Sequence, residues 1–549
     1  MSHWIIAPII LPGLIAPIIA LAMRYDLVLQ RVLSLATSVA LVAMATALFL
    51  AADTGGIEAY ELGSWPAPFG IVLVLDRLSA LMVLLTSVLA LVVLAYAVAT
   101  AWDAKGRHFH ALWQFQLMGL FGAMLTGDVF NLFVFFEILL IASYGLMIHG
   151  GGRMRLRGGV QYVIFNLAGS TLFLFALGTI YGVLGTLNMA DMAVRAAELP
   201  EGDTALLRVA AALLLLVFVL KGALLPMHFW LPNTYALAPA PVAALFAIMT
   251  KVGAYAVIRV YTLVFHPDLA ATGAMAGDAL IPAALLTLAV GMIGVLAGGT
   301  VARITAFAAI GSMGTLFLAI GGFTPQAIAA AIYYLVHSTL AAAALFLVVD
   351  QIRARRGSGA LVALPPMAAS GLVAALFFGA AIAMAGMPPL SGFVGKLLVM
   401  DALRDHALWV WIWSFILGTS LIAVVGFARA GSVLFWKAHD EAGREAGPDP
   451  EARVNRHEDH ISPGWALGSI GAMLGLIALM TVFAGPLMRY AEDTAAQLEA
   501  REGYIAAVLG QGAVLSMGAT EAEPEVEAAT QADAEADAEA GAEAGAEEE

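Results

Sequence analysis

The chain has 549 residues and no cysteine. Disulfides, thiolate metal sites and cysteine nucleophiles are therefore excluded. Charge is scarce too, at 12% of residues, against 61% hydrophobic residues and a mean hydropathy of +0.90. A soluble core is not built this way, and the composition predicts an all-α polytopic membrane protein. The sequence has no GxxxxGK[ST] and no HExxH, and no acidic cluster for a metal. Gly150–Gly152 precede Arg153, Arg155 and Arg157 without a strand before them, so they read as a helix end and not a nucleotide loop. No haem or quinone ligand set is visible and no cofactor is expected. No basic, aromatic-interleaved stretch points to nucleic acid. Met1 to Met23 has neither a basic leader nor a clear cleavage motif, and reads as a first membrane helix.

What is present is a series of apolar runs of membrane-spanning length. They predict about fourteen helices, the third over 71–99 and the last over 465–488. The net charge of −14 is misleading, because Thr520 to Glu549 holds twelve acidic residues and no Lys or Arg. That Ala/Glu/Asp stretch cannot bury a core and reads as a disordered tail. Arg24 and Arg31, Lys105 and Arg107, Arg153 to Arg157, Arg303, and Arg353 to Arg356 fall in alternate loops. The loops between them carry Asp53, Glu58 and Glu61, then Asp191, Glu198, Glu201 and Asp203, then Asp401 and Asp405. The basic set belongs in the cytoplasm, which places both termini outside.

Two spans look interrupted. One reads LKGALLPMHFWLP and contains Pro226; the other reads AGMPPLSGFVGKLL and contains Pro388 and Pro389. Proline removes a helix hydrogen bond, and carbonyls freed at membrane depth need protein partners or water. These are the seventh and twelfth predicted helices, crossing in opposite directions. That pattern predicts two inverted five-helix repeats. The expected divisions are 1–109 (helices 1–3), 110–265 (helices 4–8), 279–437 (helices 9–13), 438–488 (a cytoplasmic loop and helix 14) and 489–549 (a C-terminal segment with the acidic tail).

Five ionisable residues fall well inside predicted spans: Glu137, Lys221, Lys251, His337 and Lys396. Each is costly in a bilayer unless compensated. Asp76, Arg77 and Arg259 fall at helix ends, where they can snorkel or pair. Burial favours a neutral lysine and a nearby carboxylate a charged one, so a lysine between those influences can exchange a proton. Histidine titrates near neutrality. A row of such groups, bridged by water at interrupted helices, is a proton relay, with Glu137 the switchable counter-ion of Lys221. His228 suits a proton entrance or exit, or an interfacial anchor. Asn131, Ser143, Tyr144, Asn166 and Thr250 can orient water. No metal ligand is assigned.

TGDVFNLFVFFEILLIASYGL, LKGALLPMHFWLPNTYALAPAPVAALFAIMTKVGAYAVIRVY and AGMPPLSGFVGKLL together resemble the antiporter-like membrane subunits shared by complex I and Mrp-type cation/proton antiporters. The resemblance spans roughly residues 70–440 and is strongest to the D-subunit branch of Mrp antiporters. It implies fourteen core helices with two inverted repeats. It also implies a transporter subunit, not an enzyme, in a hetero-oligomer of Mrp-type subunits in the cell membrane. Such a complex exchanges Na+ or K+ for protons in cation and pH homeostasis. By motif, Glu137 corresponds to the family's fifth-helix glutamate, Lys221, Lys251 and Lys396 to its lysines of helices seven, eight and twelve, and His337 to the central group of helix eleven. A redox-driven pump subunit of a complex I-like or membrane hydrogenase assembly, and a non-transporting scaffold, are the alternatives.

Overall fold

The computed structural model describes residues 2–200, 204–437 and 463–512. The 439–462 loop and the acidic tail expected from the sequence lie outside the described residues. The chain forms a polytopic all-α membrane protein. Eleven of its described helices are long and apolar enough to cross a bilayer.

The first three are α1 (Ala7–Leu21), α2 (Leu27–Gly55) and α3 (Arg77–Ala99). The third begins later than the predicted residue 71. Val72–Leu75 (β2) is instead a strand, paired antiparallel with Glu58–Glu61 (β1). The switch comes at Asp76, whose carboxylate accepts from Ser79 N at 2.9 Å while the Ser79 hydroxyl accepts from Asp76 N. This reciprocal cap starts a helix where the alternating Val/Leu strand stops. At fifteen residues α1 is also shorter than the sequence suggested.

Next come α4 (Phe109–Leu125), α5 (Val129–Met147), α6 (Arg153–Leu184) and a short α7 (Met189–Ala197) that the sequence reading missed. Asp128 caps α5 by accepting from Asn131 N at 2.7 Å. Then follow α8 (Thr204–Lys221), α9 (Leu231–Leu237), α10 (Ala240–Leu263), α11 (Met275–Ala297), α12 (Val301–Ile320) and α13 (Pro325–Arg356). The last group is α14 (Ser370–Ala385), α15 (Ser391–Ala402), α16 (Trp409–Gly431), α17 (Pro463–Val482), α18 (Ala484–Glu499) and α19 (Arg501–Leu509).

The apolar windows of α10 and α13 are buried in protein over their whole length, and α12 is nearly so. These helices form the centre, and α13 packs on α10, α12, α14, α15, α17 and α18. Glycine permits one close approach: a Cβ on Gly291 of α11 would sit 2.3 Å from the Gly311 nitrogen of α12. Small residues let membrane helices meet backbone to backbone in this way. Asp76 and Arg259 do not snorkel. Both are buried and form a two-pronged ion pair at 2.5 and 2.8 Å.

Candidate functional site: two groups of buried charge

Lys221 is the last residue of α8. Its ammonium donates to Asn166 Oδ1 of α6 at 3.0 Å and lies 5.7 Å from the Phe136 ring centroid. The backbone from Gly222 to Trp230 is non-α, and α9 then restarts the helix. Side chains satisfy backbone groups freed there. Trp230 Nε1 donates to Leu220 O at 3.1 Å, and Leu225 N donates to Thr287 Oγ1 at 2.8 Å. Pro226 is exposed in this segment and, lacking an N–H, leaves no donor there to satisfy.

Glu137 on α5 is half-buried and accepts from the Ser170 hydroxyl of α6. It makes no ion pair with Lys221 among the described residues, although its charge acts on the ammonium. Each of the two side chains instead makes its hydrogen bond to α6. A cavity with room for about one water centre, ≈ 10 Å³, is lined by Lys221, Asn166, Tyr162, Trp230, Phe136 and Met249.

The second group surrounds α13. Lys251 on α10 is 1% exposed and makes no hydrogen bond among the described residues. Gly253, two residues on, brings α10 against the end of α8: a Cβ there would sit 2.6 Å from Phe218 O. His337 on α13 is buried, and its Nδ1 lies 2.8 Å from Ser391 Oγ at the start of α15. The charges of Lys396 and Lys251 both act on this imidazole. Lys396 of α15 reaches back to Ala385 O, the last residue of α14, at 2.8 Å, and to Ser420 Oγ of α16 at 2.8 Å. Pro388 and Pro389 lie in the turn between α14 and α15.

The structure therefore gathers the five sequence-selected charges into Glu137 with Lys221 around α6, and Lys251 with His337 and Lys396 around α13. His228 belongs to neither. It sits partly exposed between α8 and α9, and its buried Nδ1 has no partner among the described residues. Sequence reasoning missed Ser170, Ser391 and Ser420. The signal for Ser170 was its position four residues after Asn166, on the same helix face. Among the described residues, no three His, Asp or Glu side chains are placed to hold a metal.

Residues 126–423 match the family model described as NADH:quinone oxidoreductase/Mrp antiporter, transmembrane. The chain is 38% identical over 534 residues to a protein of Rhizobium meliloti strain 1021 described as the D-subunit of a probable K+/H+ antiporter, covering 91% of this chain and 96% of that one. It is also 38% identical to the D-subunit of the Na+/H+ antiporter of Bacillus subtilis strain 168, covering 93% of this chain and 100% of the relative. A chain in the structure of the Mrp complex from Dietzia sp. DQ12-45-1b is 29% identical, with a TM-score of 0.82, covering 93% of this chain and 100% of that chain. The chain belongs to the NADH:quinone oxidoreductase/Mrp antiporter membrane family, and within it to the D-subunit branch of Mrp-type antiporters.

Proposed function

We propose that this chain is the proton-translocating subunit of a multisubunit Na+ or K+/proton antiporter, working with other Mrp-type subunits in the cell membrane. Protons pass along Glu137, Lys221, Lys251, His337 and Lys396. The observation that carries this reading is the burial of Lys251, His337 and Lys396 at the centre of the bundle, on α10, α13 and α15, with α13 packed against both of the others. Two buried lysines gathered there beside an imidazole burden folding. Their shared chemistry is the exchange of a proton between nitrogens, and a proton arriving at one displaces the next by like-charge repulsion.

The finer reading has fourteen crossings. In it α8 with α9, and α14 with α15, are each one interrupted crossing, within inverted repeats over 110–265 and 279–437. A lysine at each interruption supports it: Lys221 ends α8, and Lys396 bonds the end of α14. Such discontinuities at corresponding places in two halves mark the transport path in inverted-repeat transporters. The basic loops face the cytoplasm and both termini face outward, and His228 serves the path as an entrance or exit.

The test uses the whole complex in everted membrane vesicles, with cation-driven proton movement read by a pH-sensitive dye. Glu137→Gln and Lys221→Ala are expected to abolish exchange while the complex assembles at normal abundance. Unchanged exchange overturns the relay. Loss of the complex itself means that the charges hold helices together. Mass spectrometry of co-purifying proteins completes the test: redox subunits in place of Mrp-type ones would assign the chain to a redox-driven pump.

A further inference from the structure

Glu137 and Lys221 share an intermediary. α6 presents Asn166 and Ser170 four residues apart, on one face and ~6 Å apart along the axis. The Ser170 hydroxyl donates to Glu137 Oε1, and Lys221 Nζ donates to Asn166 Oδ1 at 3.0 Å. Asn166 is itself fixed, because its Nδ2 donates to Tyr162 O at 2.8 Å. Carboxylate and ammonium are thus each held by a neutral partner on adjacent turns of one helix. Phe136, Phe173 and Phe218 meet edge to face beside them, at centroid distances of 5.6 to 6.4 Å. Opposite charges attract strongly in so apolar a place. Charge-assisted hydrogen bonds are the force that opposes that attraction.

We infer that Asn166 and Ser170 are positioning residues that latch Glu137 and Lys221 apart, so that the pair switches between a separated and a closed arrangement. The inference rests on the relay reading above. With the carboxylate on Ser170, the Lys221 ammonium gives up its proton to the adjoining cavity water. With the carboxylate on Lys221, the ammonium keeps it. The latch selects the release arrangement, and movement of the Glu137 side chain off Ser170 resets the lysine for loading.

The experiment compares Ser170→Ala, Asn166→Leu and Ser170→Thr in the complete complex, reading abundance, exchange rate and the pH profile of exchange. Ser170→Ala and Asn166→Leu let the pair close. They are expected to assemble normally, to slow exchange several-fold and to move the profile about one pH unit alkaline, a tenfold change in proton affinity. Ser170→Thr keeps a hydroxyl and is expected to restore both rate and profile. A profile and rate matching the unaltered protein in both Ser170→Ala and Asn166→Leu overturn the latch. So does an assembly defect that Ser170→Thr shares, which marks a structural role. Glu137→Gln and Lys221→Ala separate the two claims: if they abolish exchange while the α6 variants are silent, the latch fails and the relay stands. If they are silent too, the relay fails.

Discussion

Lys396 donates to the carbonyl of Ala385 across the turn that separates α14 from α15, at 2.8 Å. The last carbonyls of a helix lack intrahelical donors and carry its partial negative charge. An ammonium there compensates the interruption while the interruption compensates the ammonium. Neither is cheap alone in a bilayer, and the two together make a site whose proton and helix ends are coupled.

Lys396→Met withdraws the donor from Ala385 O and from Ser420. Proton-coupled exchange is expected to fall at least tenfold, with the complex retained, because methionine fills the space without a proton to give. Vesicle assays with a blot for abundance check it. Full exchange removes Lys396 from the path.

Gly392→Ala tests how tightly α15 sits on α13. A Cβ there would lie 2.1 Å from Ala383 O and 2.8 Å from His337 Nε2. Both contacts must open, at a cost of ~1–3 kcal/mol. A lower thermal midpoint of the purified complex and strongly reduced exchange are expected. A variant as stable and active as the parent contradicts this packing.

The Asp76–Arg259 pair is a structural prediction. Both side chains are nearly inaccessible, and Arg259 also faces the rings of Tyr255 and Tyr504 at 5.6 and 5.4 Å. Removing one partner strands a buried charge, which costs ~3–5 kcal/mol. Asp76→Ala and Arg259→Ala should each reduce abundance sharply, and a double apolar replacement should recover part of it. Equal loss in the single and double variants refutes the coupling.

Lys105 carries a pH signature outside the membrane spans. Burial, with the like charges of Arg155 and Arg353, lowers its pKa from 10.5 to about 8 against the pull of Asp350. Its ammonium also rests 3.4 Å over the Trp102 ring. The unfolded chain then holds more protons than the folded one between about pH 8 and 10.5, so this group's contribution rises with pH across that window. The thermal midpoint of the parent, measured against Lys105→Gln, should climb over that range and stay level below it. Parallel curves exclude the shift.

The absence of cysteine makes orientation measurable. Arg153→Cys, at the first residue of α6, and Glu198→Cys, just past α7, are exposed single reporters at helix ends assigned to opposite sides. An impermeant thiol reagent added to intact cells should modify Glu198→Cys and spare Arg153→Cys. The reverse pattern inverts the proposed orientation.

Much of this is legible in the sequence. Apolar run length marks the membrane helices, Pro226 and the Pro388–Pro389 pair mark the non-α segments, and the five buried charges stand out against an apolar background. Spacing along a chain gives a residue's depth, however, and not which neighbouring helix its side chain faces. Sequence alone therefore couples Glu137 to Lys221 without revealing Ser170 and Asn166 of α6, to which the two side chains bond. Serine in a membrane helix usually bonds its own preceding carbonyls, so Ser170, Ser391 and Ser420 carry little signal. Val72–Leu75 reads as the opening of a helix until the Asp76 cap is seen to start one. The amphipathic α18 escapes notice because Ala484 follows the apolar α17 almost without a break.

The helix α13 is one uninterrupted rod of 32 residues, ~48 Å long at 1.5 Å per residue. Thr324 caps one end, His337 lies along its length, and Asp350 and Gln351 meet Tyr96 near the other. With protein packed around its apolar length, it has no lipid face along which to bend. The helices packed around it hold it in register along that length. The central imidazole is thereby held at a fixed depth, and α13 serves as the common spine against which the lysine-bearing helices α10 and α15 are registered.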